Sequence, residues 1–335
     1  MPEPTDSVAV ARRLADEVLF PGALAADEAD TLPRERLDAL ADAGLYGLMG
    51  PAWAGGLEGD LDTLCRVTEA LASGCLTTTF VWAQHVKTVF VASVSASSLV
   101  RRWVEPLCAG RLRSGLALAG ALPSPTPLRA VAADGGWRLT GPAPWVSGWG
   151  RVDVCHTAGL ADDGRVVWLL VDARETASLR TQRVELAALN ATATVDVAFE
   201  GHFVPDERVT VITPAGDSAA PEPSTLRLHA AFALGVASRC STLLGPSHLD
   251  DELAACRAEL ARADAATMPD ARAAASELAV RAATTLMSAS GSSSLRTSQH
   301  PQRLAREALF TAVFAARSPV GPAFRSRLGS WSGVG

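Results

Sequence analysis

Lysine is nearly missing from this chain of 335 residues: Lys87 is the only one, and the other basic residues are arginine. That skew, with alanine, arginine and leucine dominant, points to GC-rich coding and bears on origin, not mechanism. Excess positive charge is missing too. Thirty Lys and Arg stand against 36 Asp and Glu, for a net charge of −6 and a pI near 5.6. Such a balance offers nothing that favours nucleic acid or an anionic membrane surface. Cysteine pairs are absent: Cys65, Cys75, Cys108, Cys155, Cys240 and Cys256 form no C-x-x-C. The scatter excludes a zinc site and reads as buried thiols in a reducing cytoplasm. No long apolar run exists either. The most apolar stretch, residues 77–94, is interrupted by Gln84, His85 and Lys87 and makes a poor membrane span. The opening MPEPTDSVAV is acidic and has no cationic segment before an apolar one, so no signal peptide is expected. H-E-x-x-H, a P-loop and a Ser/His/Asp spacing are all lacking. The expectation is a cytoplasmic protein with no metal, nucleic-acid or membrane partner.

What is present is an ordinary globular composition, 48% hydrophobic and 20% charged, long enough for two or three domains. Residues 8–115 read as helices. Leu37, Leu40, Leu45 and Leu48 recur at helical spacing, and Pro33 suits a first turn, where its missing N–H costs nothing. Gly50-Pro51 and Gly55-Gly56 break the chain, and helices follow over 62–72, 77–94 and 99–109. Residues 116–212 change character. Segments 137–140, 152–157, 166–171 and 192–199 are strand-like and separated by Gly, Pro and Asp. Spacing this short does not suit βαβ units, so a compact antiparallel sheet or barrel is expected. In 195–200, Val195, Val197 and Phe199 alternate with Asp196 and Glu200, and Pro205-Asp206-Glu207-Arg208 ends the strand. Residues 213–224 are a linker by composition. Helix returns over about 225–326, broken at Gly245-Pro246, Met268-Pro269 and 291–294, and 330–335 read as a frayed tail. The domain expectation is 1–115 helical, 116–212 β, 213–224 linker and 225–335 a helical bundle.

This order, with several local patterns, resembles the acyl-CoA dehydrogenase superfamily. The exit from the β segment, VAFEGHFVPDERV, is similar to that family's strand followed by V-P-x-x-x-V. LPRERLDALADAGLYGLMGPAWAGG resembles its second helix and the loop after it. GGWRLTGPAPWVSGWGRVDVCHTAGL resembles the run G-W-x-L-x-G-x-K-x-W-I-T-x-G-x-x-A-D, and RLAREALF a helix near the C-terminus. The resemblance covers nearly the whole chain. It implies an α+β fold: an N-terminal helical domain, a central antiparallel β-domain or barrel, and a C-terminal helical bundle. It also implies FAD held between β-domain and bundle, and a homo-oligomer, since the family's flavin site borrows from a second subunit.

Site residues follow from the same resemblance. Trp145 and Ser147 match the tryptophan and hydroxyl of a W-x-T/S motif, which implies a tryptophan beside the isoalloxazine and a hydroxyl near its N5, with Gly148 following. An aromatic wall excludes water and fixes a ring, and a hydroxyl can hydrogen-bond a nitrogen whose basicity changes with redox state. A core Trp and a strand-end Ser in a Pro/Gly-rich turn remain the plain alternative. Gly291 and Ser292 stand where the family has a Q-x-x-G-G-x-G turn, here MSASGSSSL, and can offer backbone and hydroxyl donors to a phosphate. Two family features are absent: the acidic T-E-P segment, replaced by ALAGALPSPTPL, and an R-x-x-F-G motif between 245 and 265.

The family removes a proton α to a thioester with a glutamate, whose pKa desolvation can raise. Counting from Arg306-Glu307, that position holds Ala315. A minority of members place the glutamate before an arginine on the first bundle helix, and here Leu226 precedes Arg227. Arg306 and Glu307 read as an internal ion pair. His85, in TTTFVWAQHVKTVF, is the candidate proton carrier, because imidazole titrates in the useful range; a satisfied core histidine is the alternative. His229, His156 and His300 are further candidates. Three functions stay open. One is an FAD-dependent oxidoreductase acting on an acyl thioester or related carbonyl compound, with an electron-transfer partner. Another is a monooxygenase on the same scaffold, taking reduced flavin from a reductase. The last is a flavin-free binder or non-redox enzyme. The lost base and a bundle that looks short hint at specialised metabolism.

Overall fold

The computed structural model describes residues 6–95, 100–214 and 222–329. Most of the expected linker (215–221) and the expected frayed tail (330–335) lie outside the described residues.

The N-terminal part is helical: α1 Ser7–Leu14, α2 Ala23–Glu28, α3 Arg34–Asp42, α4 Leu61–Gly74, α5 Leu76–Val94 and α6 Arg101–Cys108. Local chemistry sets the starts. Asp6 accepts the backbone N–H groups of Val8 and Ala9, and Asp60 accepts that of Thr63 at 2.7 Å, satisfying donors that a helix leaves orphaned. α5 is apolar nearly all round and is accordingly buried along most of its length, between the other helices and the β-domain. Trp82 is fully buried there and donates its Nε1–H to the Leu45 carbonyl at 3.2 Å. Leu45 and Leu48 lie beyond the end of α3, in a short 3₁₀ turn and its cap, yet are as buried as Leu37 and Leu40.

The middle of the chain forms β1 Ser114–Ala117, β2 Arg129–Ala133, β3 Gly136–Val146, β4 Val154–Leu160, β5 Val166–Asp172, β6 Leu179–Arg183, β7 Val195–Pro205 and β8 Val209–Thr213. One sheet runs β6-β7-β3-β2-β4-β5-β8, with β1 on β4. The purely antiparallel expectation needs correction here: β1 and β2 each pair with β4 in parallel, so the sheet is mixed. β1 enters straight from α6 and cannot arrive as a hairpin partner of β4, which removes the constraint for an antiparallel pair. The 3₁₀ turn Asp206–Arg208 separates β7 from β8 where the polar break was read.

The last part comprises α7 Pro223–Leu244, α8 His248–Arg262, α9 Met268–Ser290, α10 His300–Val313 and α11 Val320–Arg327. α7 packs closely on α4 because Gly235 has no side chain: a Cβ there would lie 2.5 Å from both Ala72 Cβ and the Glu69 carbonyl. One core joins α1, α4, α5 and α7–α10, and a second fills the β-domain. Among the described residues, no helix is long and apolar enough to cross a membrane.

Candidate active site

Trp145 sits where β3 is irregular. The register with β7 slips between Ala143 and Val146, and the two residues in the gap are released from the ladder. Trp145 takes φ +63°, a left-handed conformation that costs a non-glycine residue roughly 1–3 kcal/mol. Its N–H is anchored on Asp196 Oδ1 at 3.2 Å, and its side chain is left 65% exposed.

Two residues on, Ser147 turns inward and is 7% exposed. Its Oγ is 2.8 Å from Thr194 Oγ1, which is 2.8 Å from Thr192 Oγ1. Gly148 follows at φ +89° and donates its N–H to the Thr192 carbonyl at 2.7 Å. Three hydroxyls are therefore linked by hydrogen bonds, beginning two residues after the exposed tryptophan. The T-x-T at 192–194 supplies both threonines of this chain of bonds.

His85 takes the form of the alternative reading, a satisfied core histidine, and not that of a free proton carrier. It is 1% exposed, and both ring nitrogens are committed: Nδ1 accepts the Ser114 N–H at 3.0 Å, and Nε2 lies 3.1 Å from the Leu107 carbonyl. That pattern requires the Nε2–H tautomer. Burial pushes the imidazole pKa down to about 3, so the ring stays neutral and ties α5 to the end of α6 and to β1. A ring with no free lone pair cannot take a proton from a substrate.

Ala315 lies in the loop between α10 and α11, exposed, at φ +51°. Just before it, Phe314 belongs to an aromatic cluster with Phe80, Phe232, Phe310 and His229, at centroid separations of 4.8 to 6.4 Å. Arg227, two residues from His229 on α7, pairs with Asp62 at 2.5 Å. Gly291 and Ser292 are exposed at the end of α9; the Gly291 N–H is spent on the Ser288 carbonyl as the helix cap. His300 stacks on Phe20 at 4.1 Å.

The Arg306–Glu307 pair also needs correction. Adjacent helical residues point in different directions, whereas residues four apart meet. Glu307 accordingly pairs with Arg303 at 2.5 Å, both fully buried, and Arg306 reaches out to Asp27 and the Ala187 carbonyl. No cluster of three metal-ligating side chains occurs among the described residues.

Residues 2–111 match the family model described as "Acyl-CoA dehydrogenase, N-terminal domain". Benzylmalonyl-CoA dehydrogenase of Aromatoleum aromaticum is 25% identical over 201 residues, which are 58% of this chain and 53% of that protein. The matched part thus spans about half the length of this curated relative. Among solved structures, a glutaryl-CoA dehydrogenase from Mycobacterium smegmatis in complex with FADH2 superposes with a TM-score of 0.79 at 17% identity, covering 98% of this chain and 95% of that one. The HsaA monooxygenase from M. tuberculosis superposes with a TM-score of 0.74 at 20% identity, covering 94% of each. At such identities the superpositions speak to the fold.

Proposed function

We propose, for a chain that has the fold of the acyl-CoA dehydrogenase superfamily, that the protein is an FAD-dependent oxidoreductase acting on an acyl thioester. The observation that carries the reading is the outward, strained Trp145 with the Ser147–Thr194–Thr192 hydroxyls behind it. Exposed aromatic surface with a hydroxyl near it is the chemistry that the face and edge of an isoalloxazine need. The benzylmalonyl-CoA dehydrogenase relative supports the thioester, and the neighbour solved with FADH2 supports the cofactor.

The residues present fit the ring end of FAD better than its phosphate end. Trp145 would cover the ring and keep water from it. Ser147 Oγ would hold a hydrogen bond at the ring edge while Thr194 keeps its orientation, and the Gly148 turn leaves room beside it. Ser292 is the proposed donor to the pyrophosphate, through its hydroxyl and not through an arginine, with Gly291 turning the chain beside it. FAD bound there would supply the two-electron redox chemistry. A carboxylate base is not provided at 315, which has a methyl group in its place.

That alanine favours a second reading, a monooxygenase using reduced flavin and O2. Such a reaction needs a dry pocket and a hydrogen-bond donor more than a base that removes an α-proton, and the HsaA superposition is consistent with it. An electron-transfer partner goes with the first reading, a flavin reductase with the second. We propose also a homo-oligomer: Leu295, Leu309, Val313 and Leu328 are exposed apolar residues on or beside α10 and α11.

A visible spectrum of the purified protein, with and without added FAD, tests the cofactor. Bound flavin bands that Trp145→Ala weakens are expected; a colourless protein that leaves added FAD unbound leaves only a flavin-free function. Stopped-flow oxidation of the reduced form then separates dehydrogenase from monooxygenase, by whether oxygen or an electron acceptor reoxidises it.

A further inference from the structure

The hydroxyls of Thr192, Thr194 and Ser147 form a closed account. Ser147 Oγ is 2.8 Å from Thr194 Oγ1, which is 2.8 Å from Thr192 Oγ1, and among the described residues the three have no other hydrogen-bond partner. The two ends differ. Thr192 closes the 3₁₀ turn Asn190–Thr192, which packs on α5, and is 2% exposed. Thr194 is 1% exposed, and Ser147 is 7% exposed. The backbone fixes both ends. Gly148 donates its N–H to the Thr192 carbonyl at 2.7 Å, and a Cβ at Gly148 would lie 3.2 Å from Val81 of α5.

Proton counting gives this chain a direction. A hydroxyl donates once and accepts up to twice. Three hydroxyls hold three protons and the two links use two, so one proton is left over. A donor stranded in the interior costs about 1–3 kcal/mol. Donation from Ser147 to Thr194 to Thr192 strands it on Thr192, in the turn packed on α5. Donation into Thr194 from both sides strands it on Thr194, the most buried of the three. Thr194 has one proton and cannot donate to both neighbours. The order Thr192 to Thr194 to Ser147 remains, and it brings the spare proton to the hydroxyl whose residue has the most access to solvent.

We infer that Thr192 and Thr194 are positioning residues that hold Ser147 as an outward proton donor. A ligand atom that meets Ser147 is then favoured when it has a lone pair and disfavoured when it carries hydrogen. The consequence for flavin rests on the FAD reading above and adds to it the redox form that the protein prefers. The ring-edge nitrogen N5 has a bare lone pair when FAD is oxidised, and carries hydrogen once FAD has taken up two electrons and a proton. Ser147 therefore holds the oxidised form more tightly, and the threonines keep its hydroxyl from turning round to accept. Tighter binding of the oxidised form lowers the midpoint potential.

A neutron structure of the deuterium-exchanged protein, with and without FAD, reads the order directly and needs no variant. Deuterium should lie on Thr192 Oγ1 toward Thr194 and on Thr194 Oγ1 toward Ser147. Spectroelectrochemical titration of the FAD-loaded protein reads the consequence. Thr194→Val and Thr192→Val keep the shape and drop one hydroxyl. Both should raise the flavin potential, Thr194→Val by about 30 mV, which is about tenfold in relative affinity for a two-electron couple. Thr194→Ser should restore the wild-type value. The Thr192→Val shift separates positioning from direct contact, since that hydroxyl meets Thr194 and not Ser147. A reversed deuterium order overturns the inference, as do valine variants that hold FAD at the wild-type potential. The outward order in a protein that binds no FAD sustains the positioning role and removes the flavin reading. A reversed order in a protein loaded with FAD does the opposite.

Discussion

Ser114 donates its backbone N–H to His85 Nδ1 at 3.0 Å, and the opposite nitrogen of the same ring is 3.1 Å from the Leu107 carbonyl. One imidazole thus bridges the first residue of β1 and the last turn of α6. His85→Ala would leave a buried N–H and a buried carbonyl unpaired and a hole beside Tyr46, whose ring lies 4.7 Å away. The expected cost is about 2–4 kcal/mol in urea unfolding. Turnover per folded molecule should stay near wild type. A variant that folds normally but is inactive would return His85 to the reaction.

Burial pushes His85, His156 and His229 each down to about 3 in the folded protein. Unfolded, each titrates near 6.5, so between those values the unfolded state binds more protons. Stability is therefore fully present above pH 6.5 and falls as pH drops toward 3, by up to about 1.4 kcal/mol per pH unit for each ring. Denaturant midpoints measured from pH 7.5 down to 4.5 should decline with that sense. A flat profile would count against the buried neutral rings.

Trp145 at φ +63° is strained, and its side chain is largely exposed. Trp145→Gly removes the strain without emptying a core site, so thermal stability should hold or rise by up to about 1 kcal/mol. Flavin affinity should fall about tenfold or more over the same change, because the ring wall is gone. Loss of stability with no change in flavin binding would make the tryptophan a packing residue.

Arg303 and Glu307 are paired in the core, yet Arg303 Nε and Glu307 Oε2 have no partner among the described residues. Burial raises the Glu307 pKa. Arg303→Met alone strands a buried carboxylate and should cost about 3–5 kcal/mol. Adding Glu307→Leu should recover most of it, since an apolar pair of similar volume replaces two desolvated charges. A double variant no more stable than the single would show that the pair holds α10 by more than its mutual charge.

The layout was legible because it rests on local chemistry. The apolar run around α5, the alternation at Val195, Val197 and Phe199, and the breaks at Gly245, Met268-Pro269 and Gly291 all act over a few residues. Strands β1, β2, β6 and β8 escaped because they are only four or five residues long, and the partner of β1 is remote as well, as Ser114 with Val154 shows. Trp145 is a candidate from sequence, and its left-handed backbone comes from a register slip against β7 that no local pattern encodes. His85 could be named from its residue type, but not used correctly. Whether an imidazole is a proton carrier or a latch depends on what its two nitrogens touch, and Ser114 and Leu107 lie 29 and 22 residues away. Arg306 and Glu307 looked like partners because they are adjacent, and the 100° turn per residue of a helix separated them. Sequence thus determined the elements and their order, which depend on near-neighbour propensities. Only the tertiary structure decided which polar groups are spent on one another, because that depends on contacts between distant segments.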